Sequence, residues 1–276
     1  MSGTLTLVGT PIGNLSDLSP RALEALQGCD FIAAEDTRVS LNLLNKFGVR
    51  KPLISYFEHN KRERGEAICR KLEAGENAVL VTDAGMPAIS DPGEDLVALC
   101  HERGISVTVI PGPSAGITAL AASGLPTARF TFEGFLSANR RDRRAALEAL
   151  CREERTMVFY EAPHKLLATL EDMLLVFGDR RICLARELTK LHEEICRTTL
   201  AAAVDQYRET TPRGEFVVVV EGATPTEEAP ATPEEAAKLA RAFVEEGLSA
   251  SDAAKKAAAE TGVKKGDIYR LLTKEN

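Results

Sequence analysis

Short apolar runs alternate with amphipathic stretches along the first part of the chain. The apolar runs are "LTLVGT", "DFIAAE", "LISY", "AVLVTD" and "SVTVIPG". Between them, helical periodicity appears from about residue 20 and over "VSLNLLNKFG", "RGEAICRKLEAG" and "GEDLVALCHERG". Strands that are separated by helices predict an α/β fold with a largely parallel sheet covered on both faces.

The second part of the chain has a different rhythm. An arginine-rich helix and a helix over "HKLLATLEDMLLVFG" stand among the segments "RFTFEGFL", "TMVFYEA", "RICLARELT", "EEICRTTLAA" and "EFVVVVEG". This pattern predicts a second α/β unit with a mixed sheet. We therefore expect an N-terminal α/β domain over 1–113 and a C-terminal α/β domain over 114–223.

A third kind of pattern begins at residue 224. The stretch "TPTEEAPATPEEA", 224–236, has the composition of a linker that enters a capped helix. Beyond it, 237–276 is helical, and the spacing of Ala258, Gly262 and Ile268 resembles a helix-turn-helix core, with Lys264 and Lys265 near its second helix. Such a segment either contacts nucleic acid or only packs on the body of the protein. If it contacts nucleic acid, DNA is not the expected partner, because a DNA regulator would not need the first 223 residues.

Composition narrows the class of protein. The chain has 276 residues, 44% of them hydrophobic and 27% charged, and a net charge of −7, which argues mildly against a general nucleic-acid coat protein. No apolar run approaches the ~20 residues of a membrane span, and the N-terminus lacks a signal pattern, so we expect a cytoplasmic protein with no membrane partner. The six cysteines show no spacing for zinc, and we expect reduced thiols and no metal site.

The first strand runs into "LVGTPIGNL", a glycine-bearing loop where α/β proteins often bind a nucleotide. A dinucleotide is the obvious ligand, because Glu35 and Asp36 end the next strand about twenty residues downstream. However, Pro11 stands where a pyrophosphate-binding loop needs a close-approach glycine, and no P-loop motif occurs in the chain. Either the loop binds another ligand or it is a structural turn.

Two further loops follow strands of the first sheet. "VLVTDAGMPAISDPG" contains Asp83 and Gly85, and "VIPGPSAGITAL" contains Ser114 at the start of a helix. The carboxyl ends of strands are where open α/β sheets bind ligands. Helix capping by Ser114 and a plain turn at Asp83 are the structural alternatives.

Basic residues cluster at two places. A predicted helix begins with Arg140, Arg141, Arg143 and Arg144, and "HNKRER" adds Lys61 and Arg62. Arginines at a helix start oppose the helix dipole, and phosphate contact would explain them. The alternative is a solvated helix face with ion pairs such as Arg144 with Glu148.

Together, "GTPIGNL", "AEDTR", "SDPG", "PGPSA", "YEAPH", "ARELTK" and "GEFVVVV" resemble the tetrapyrrole methylase superfamily of S-adenosylmethionine-dependent methyltransferases. Within it, "TPIGNLSDLS", "EDTR" and "ARELTKLHEE" resemble the ribosomal RNA small subunit methyltransferase I group, which methylates a cytidine 2′-OH in 16S rRNA. The resemblance extends over about residues 4–223, with the motifs in the expected order.

The resemblance implies a two-domain tetrapyrrole-methylase-like (class III methyltransferase) fold, with S-adenosyl-L-methionine in the cleft between domains. It also implies a homodimer that acts on 16S rRNA within the 30S subunit. By motif match, the implied cofactor contacts are Pro11, Ile12, Asp83, Ala84, Gly85, Ala88, Ser114, Ala115, Tyr160, Glu161 and Leu188.

Two rival functions stay open at this level, a precorrin-type tetrapyrrole methylase and a nonenzymatic RNA-binding regulator. The absence of tryptophan, the 5% of aromatic residues and the arginine clusters favour RNA over a macrocycle. Methylation of a 2′-OH is helped by a proton acceptor, for which Asp36 is the first candidate, with Arg38 as a phosphate contact. His59 and Lys190 are rival acceptors, and a capped helix start with an ion pair is the structural alternative for Asp36 and Arg38.

Overall fold

The computed structural model describes residues 2–224 and 232–273. The chain divides into two compact units, Met1–Ala223 and Thr224–Asn276. Most of the predicted linker, 225–231, and the end of the predicted helical segment, 274–276, lie outside the described residues.

Five parallel strands form the first sheet, in the order β3-β2-β4-β1-β5. They are β1 (Thr4–Val8), β2 (Phe31–Ala34), β3 (Leu53–Ser55), β4 (Ala78–Val81) and β5 (Ser106–Ile110). The helices between them are α1 (Pro20–Gly28), α2 (Thr37–Lys46), α3 (Lys61–Glu73) and α4 (Gly93–Glu102). The predicted parallel α/β sheet is therefore confirmed, and the carboxyl ends of its strands share one edge.

Both faces of this sheet are buried, which explains why its strands have continuous apolar runs. On one face, Leu5 and Phe31 lie in a cluster with Ile68 of α3 and Leu96 of α4. On the other face, the neighbouring residues in the strands belong to a cluster with residues of α1 and α2. The helices thereby hold the strand ends, and the loops that leave them, in fixed positions.

The second sheet is mixed, as predicted, in the order β6-β7-β10-β8-β9. Its strands are β6 (Phe130–Phe135), β7 (Thr156–Glu161), β8 (Arg181–Arg186), β9 (Glu194–Thr199) and β10 (Phe216–Val220). The pair β6 and β7 is parallel, and the other pairs are antiparallel. The associated helices are α5 (Ala115–Ser123), α6 (Arg140–Ala149), α7 (Pro163–Phe177) and α8 (Leu200–Glu209).

Helix α8 was not predicted from the sequence. The side chain of Thr199 caps it by accepting a hydrogen bond from the Ala202 N–H, and Leu200 and Val204 are buried. This apolar face packs with α6 and α7 on one side of the second sheet.

The opposite face of the second sheet is covered by α5. Ala119 and Leu120 of α5 join Val158 and Val217 of the sheet in one apolar cluster, against which Ile12 also packs. Ile12 belongs to the loop that follows β1. Residues from the first sheet's loops therefore reach the core of the second sheet.

The described part of the second unit, 232–273, contains the helices α9 (Pro233–Glu245), α10 (Ala250–Thr261) and α11 (Lys265–Thr273). Their core includes Phe243, Ala257 and Ile268. Gly262 ends α10 with a φ of 71°, a left-handed conformation that suits glycine in a helix-to-helix turn. Helix α9 starts inside the stretch that was predicted to be linker.

Among residues 2–224 and 232–273, no helix has both the length and the apolar character needed to cross a bilayer. Across the same residues, no group of His, Cys, Asp and Glu side chains could hold a metal ion. All six cysteines are free, and four of them are buried.

Candidate active site

The loops that follow β1, β4 and β5 contact one another directly. Thr10 and Gly85 exchange two backbone hydrogen bonds of 2.9 and 3.0 Å, which join the first loop to the second. A side chain on Gly9 would lie 2.7 Å from the Gly112 Cα, so the first and third loops meet backbone to backbone. The Gly112 N–H also donates to the Met86 Sδ at 3.2 Å. The three loops suspected from the sequence thus form one layer.

The loop after β4 has an unusual backbone. Ala88 and Ser90 have φ values of 66° and 62°, which residues other than glycine rarely adopt. The Asp91 Oδ1 holds this shape by accepting from the N–H groups of Ala88 (3.0 Å) and Gly93 (2.7 Å). The Asp91 Oδ2 is buried with no partner within the described part of the chain, and burial raises the pKa of Asp91 despite the backbone hydrogen bonds. Strained backbone of this kind clusters at ligand sites.

Gly85 itself has a φ of 85°, and a side chain there would contact the Ile12 Cγ2 and the Pro113 oxygen at 3.4 Å. Glycine is therefore required at position 85 by backbone geometry, whereas the space around it would admit a small side chain. Pro11 directly follows Thr10, and Ala84 directly precedes Gly85. Both residues therefore lie beside the backbone pairing that joins the two loops.

Four of the predicted cofactor residues lie in one apolar cluster. Ile12, Ala115 and Tyr160 pack around Leu188 and its neighbours on the second sheet. The Tyr160 hydroxyl accepts a hydrogen bond of 3.1 Å from the Gly116 N–H, which fixes the ring against the start of α5. These residues come from four separate segments, so only the tertiary fold brings them together.

Two hydroxyl groups beside this cluster are not explained by hydrogen bonds within the described residues. Ser114 is at the N-cap of α5, but its side chain makes no capping hydrogen bond, so capping does not explain this serine. The Thr189 Oγ1 is buried without a partner in residues 2–224 and 232–273, and a side chain on Gly13 would lie 2.9 Å from it. The sequence analysis did not select Thr189, although it directly follows Leu188 in "ARELTK".

Glu161 is placed differently from the other predicted cofactor contacts. Its carboxylate is buried and accepts from the Thr169 hydroxyl at 2.6 Å and the Ala162 N–H at 2.9 Å, and it pairs with the Lys165 Nζ at 2.9 Å. These contacts link the end of β7 to α7. The carboxylate therefore stabilises the strand that positions Tyr160.

Asp36 and Arg38 form the ion pair that the structural alternative expected. Asp36 is the N-cap of α2 and accepts from the Arg38 backbone N–H at 2.8 Å, and the Arg38 guanidinium donates to both carboxylate oxygens at 3.1 and 2.6 Å. These hydrogen bonds lower the pKa of Asp36 to about 2. The Asp36 N–H donates to the Asp83 Oδ1 at 3.0 Å, so this pair is attached to the loop after β4.

The rival proton acceptors are in different positions. Lys190 pairs with Glu187 at 2.8 Å and Glu215 at 2.9 Å. Burial alone would lower the pKa of Lys190, but these two hydrogen bonds raise it above its ordinary value. Lys190 is therefore protonated at neutral pH, which argues against it as the proton acceptor. His59 is exposed in the loop after β3, where its ring lies 6.2 Å from that of Phe57.

The arginine cluster at the start of α6 has a structural cause. Arg143 is only 5% exposed, and its guanidinium donates to the Asp172 Oδ2 at 2.9 and 2.7 Å. Arg144 donates to the Asp172 Oδ1 at 2.7 Å, and Arg140 approaches the same atom at 3.4 Å. The buried carboxylate of Asp172 on α7 thus explains three arginines. Arg143 cannot be a phosphate contact, and Arg144 pairs with Asp172 in place of the expected Glu148.

The remaining residues predicted to contact RNA differ in whether their side chains already have a partner. Lys61 pairs with Glu58 and Asp95, both at 2.8 Å. Arg62, Arg141 and Lys264 are exposed, and their side chains have no partner in the described part of the chain. The Lys265 Nζ donates to the Ser251 hydroxyl at 3.0 Å.

Comparison with known proteins agrees with this arrangement. The family model for Tetrapyrrole (Corrin/Porphyrin) Methylases matches residues 4–204. A Synechocystis protein named ribosomal RNA small subunit methyltransferase I is 49% identical over 270 residues, which are 98% of this chain and 97% of that protein. A Thermotoga maritima protein of the same name is 47% identical over 220 residues, 80% of this chain and 99% of that protein.

Solved structures resemble the fold. The methyltransferase CobJ has a TM-score of 0.60 at 21% identity, covering 80% of this chain and 95% of that one. Uroporphyrin-III C-methyltransferase from Thermus thermophilus, complexed with S-adenosyl homocysteine, has a TM-score of 0.55 at 21% identity, covering 79% and 97%.

The chain therefore belongs to the tetrapyrrole methylase family, in the branch whose members are named ribosomal RNA small subunit methyltransferase I. This confirms the predicted fold class and the predicted enzyme class, a methyltransferase. S-adenosyl-L-methionine is the methyl donor that the membership implies.

Proposed function

We propose that this enzyme transfers a methyl group from S-adenosylmethionine to a cytidine 2′-OH of 16S rRNA in the small ribosomal subunit. The observation that carries the proposal is the near full-length match to proteins named for small-subunit rRNA methylation. The precorrin-type alternative has only a fold likeness at about one fifth identity in its favour.

The residues around the three-loop layer fit S-adenosylmethionine. An adenosyl group needs apolar contacts, which Ile12, Ala115, Tyr160 and Leu188 offer in one cluster. Its polar groups need partners, and the Ser114 hydroxyl is one that the fold leaves unused. We therefore assign these residues to cofactor binding, together with Pro11, Asp83, Ala84, Gly85 and Ala88. Glu161 contributes indirectly, by holding β7 in place, because its carboxylate already binds residues of α7.

The bound cofactor supplies a sulfonium methyl group, and the chain must orient the 2′-OH and accept its proton. Asp36 is ionised at neutral pH and partly exposed, so it can accept a hydrogen bond from the hydroxyl. A carboxylate with a pKa of about 2 is a weak base, because Arg38 stabilises its charge. Arg38 is 88% exposed and can turn to an RNA phosphate, which would leave Asp36 more basic. His59 is the remaining rival.

Phosphate contacts are assigned to exposed cations without a competing carboxylate. Arg62, Arg141 and Lys264 meet this condition, and Lys265 donates only to a hydroxyl. Lys61, Arg140 and Arg144 are already paired with carboxylates, so a phosphate would have to displace those contacts. Each of the free cations would add a salt-dependent contribution to RNA affinity.

We also propose that the protein is a homodimer that works in the cytoplasm, where small ribosomal subunits are. Family resemblance is the main support for the dimer. In addition, the edge strand β5 and helix α5 expose Val109 and Ile117, each slightly more than half accessible. Exposed apolar side chains near an unpaired strand edge are suited to a protein interface.

The decisive experiment is mass-spectrometric mapping of 16S rRNA from cells with and without this protein. We expect one ribose-methylated cytidine to lose its methyl group in the cells that lack it, and purified enzyme with S-adenosylmethionine to restore it on isolated small subunits. Unchanged rRNA, or transfer to a precorrin but not to RNA, would contradict the proposal.

A further inference from the structure

Strand β6 lies at the edge of the second sheet and exposes three phenylalanines. Phe130 and Phe132 are each 38% accessible, and Phe135 is 59% accessible. Only 5% of the chain is aromatic, and it contains no tryptophan. Exposed rings are therefore concentrated on this short strand, and a folding role does not explain why they face solvent.

A β-bulge determines where two of these rings point. The pairing of β6 with β7 shifts register between Phe132 and Gly134, and Gly134 has a φ of 63°. In a regular strand, Phe132 and Phe135 would lie on opposite faces, because side chains alternate. Across the bulge both rings contact Tyr160, with centroid distances of 5.0 and 5.4 Å. Bulges that redirect side chains occur next to active sites.

The two rings adjoin the proposed cofactor residues. A side chain on Gly116 would lie 3.5 Å from the Phe132 ring and 3.3 Å from the Tyr160 hydroxyl. On the other side, a side chain on Gly134 would lie 3.3 Å from the Ser90 Oγ, in the strained loop after β4. The pair Phe132 and Phe135 is therefore bordered by the start of α5 and by the loop after β4.

We infer that Phe132 and Phe135 form a stacking platform for the base of the nucleotide that is methylated. The inference rests on the proposed RNA substrate. A nucleotide whose ribose must reach the cofactor loses stacking on its neighbours, and aromatic side chains beside an active site replace that stacking. The Lys165 ammonium lies 5.8 Å from the Phe135 ring centre, but it is paired with Glu161, so the exposed rings carry the inference and this charge does not. An unpaired RNA base offers flat apolar faces, which match these exposed rings.

The test compares Phe132→Ala and Phe135→Ala with a matched control, Phe130→Ala. Phe130 has the same exposure as Phe132, but it pairs with Thr156 at the other end of β7 from Tyr160. The probe is the small subunit from cells that lack this protein, with S-adenosylmethionine as donor. Each platform variant should lower kcat/KM by about 10- to 100-fold, from the typical contribution of one stacked base, and the control should stay near the parent. Phe135→Tyr should restore most of the activity.

Three further measurements make the outcome specific. Calorimetry with S-adenosylhomocysteine should show that Phe135→Ala keeps its cofactor affinity. Ultraviolet cross-linking to subunit RNA should give a cross-linked peptide that contains β6. Light scattering should show that both platform variants keep the parent's molar mass.

Parental activity of both platform variants on subunits that the parent methylates would overturn the platform alone. A change in molar mass that accompanies the loss of activity would also overturn it, because the rings would then belong to an interface between copies. A parent enzyme that does not methylate subunits would refute the proposed function and the platform together.

Discussion

Asp36 can be both the N-cap of a helix and the proton acceptor of the reaction. It caps α2 and binds Arg38, as the structural alternative predicted, and its backbone N–H is held by Asp83 of the loop after β4. A cap and an ion pair do not prevent its carboxylate from facing a substrate, because the side chain is about one quarter exposed. The two interpretations can be separated only by substitution.

We predict that Asp36→Asn slows single-turnover methyl transfer by ~100-fold or more, since the amide cannot accept the hydroxyl proton. Asparagine is as good an N-cap as aspartate, so the helix should keep its stability. Single-turnover rates at saturating cofactor test this, with thermal unfolding as the control. A parental rate would move the search to His59. Because the pKa of Asp36 is about 2, its own titration should not appear in the rate between pH 6 and 9.

Asp172 supports a second prediction, this time about stability. Arg143 and Asp172 are 5% and 1% exposed, so Asp172→Asn leaves a buried guanidinium without its counter-charge. Breaking a buried pair in this way costs about 3–5 kcal/mol of unfolding free energy. Urea unfolding measures the loss. The control is Arg141→Ala on α6, the helix that carries Arg143, and we expect it to change the unfolding free energy by no more than about 0.5 kcal/mol. Equal stabilities of the two variants would contradict the assignment.

The pH dependence of this effect has a definite sign. Burial alone would raise the pKa of Asp172, but hydrogen bonds from Arg144 and Arg143 lower it below the ordinary carboxyl value. The pair therefore stabilises the fold above pH ~4 and loses this contribution as the pH falls below that value. The stability difference between the parent and Asp172→Asn should accordingly shrink in acid.

At the scale of elements, the N-cap residue of α5 does not stabilise its helix in the usual way. Ser114 occupies the N-cap without using its hydroxyl, whereas Ser19 caps α1 by accepting from the Ala22 N–H at 3.1 Å. The same residue type at the same helical position thus has two roles, and only the contacts distinguish them.

We predict that Ser114→Ala weakens S-adenosylhomocysteine binding with little change in thermal stability, because no capping bond is lost. The matched control, Ser19→Ala, should destabilise the protein by about 1 kcal/mol and leave cofactor affinity unchanged. Calorimetry and thermal unfolding of both variants give the comparison. If Ser114→Ala loses stability and keeps its cofactor affinity, the serine is structural. Gly85 cannot serve this purpose, since its φ of 85° would strain any side chain.

At the scale of the whole molecule, the two units have separate cores. Residues up to Ala223 contain both sheets and their apolar clusters, and the C-terminal helices have their own. The Thermotoga maritima relative matches 80% of this chain over 99% of its own length. Because the two cores are separate, we expect residues up to Ala223 to fold without the C-terminal helices.

We predict that a chain ending at Ala223 binds S-adenosylhomocysteine like the full chain but binds small subunits more weakly, because Lys264 and Lys265 are lost. The logarithmic salt slope of subunit binding should fall by roughly 0.7–0.9 for each phosphate contact removed. Filter binding across salt concentrations measures this, and the full-length Lys264→Ala, Lys265→Ala variant is the control that keeps the helices. Unchanged affinity of both proteins would show that the C-terminal unit does not contribute to subunit binding.

The oligomeric state supplies the last prediction. We expect light scattering at micromolar concentration to give twice the 29.8 kDa of one chain. Replacing the exposed Ile117 by lysine should shift the mass toward one chain, since a buried charge opposes association. A parent mass of one chain would refute the homodimer.

The sequence by itself determined the two α/β units, because continuous apolar runs and stretches of helical periodicity are local patterns that reflect which residues are buried. It also located the loops after β1, β4 and β5, since glycine and proline mark turns at strand ends. The family followed from short motifs in order. Helix α8 was missed because its start depends on a threonine cap that continues directly from a strand.

Only the tertiary structure decided which of the candidate residues are available for chemistry. Arg143 and Lys190 have the residue types of a phosphate contact and a base, yet Asp172 on α7 and Glu215 before β10 engage their charges. Thr189 and Phe135 become candidate functional residues only in the folded structure. The Thr189 hydroxyl is buried without a partner among the described residues, and a β-bulge redirects the Phe135 ring. The physical reason is that charge pairing, burial and side-chain direction at these positions depend on residues far away in the chain, which local sequence patterns do not encode.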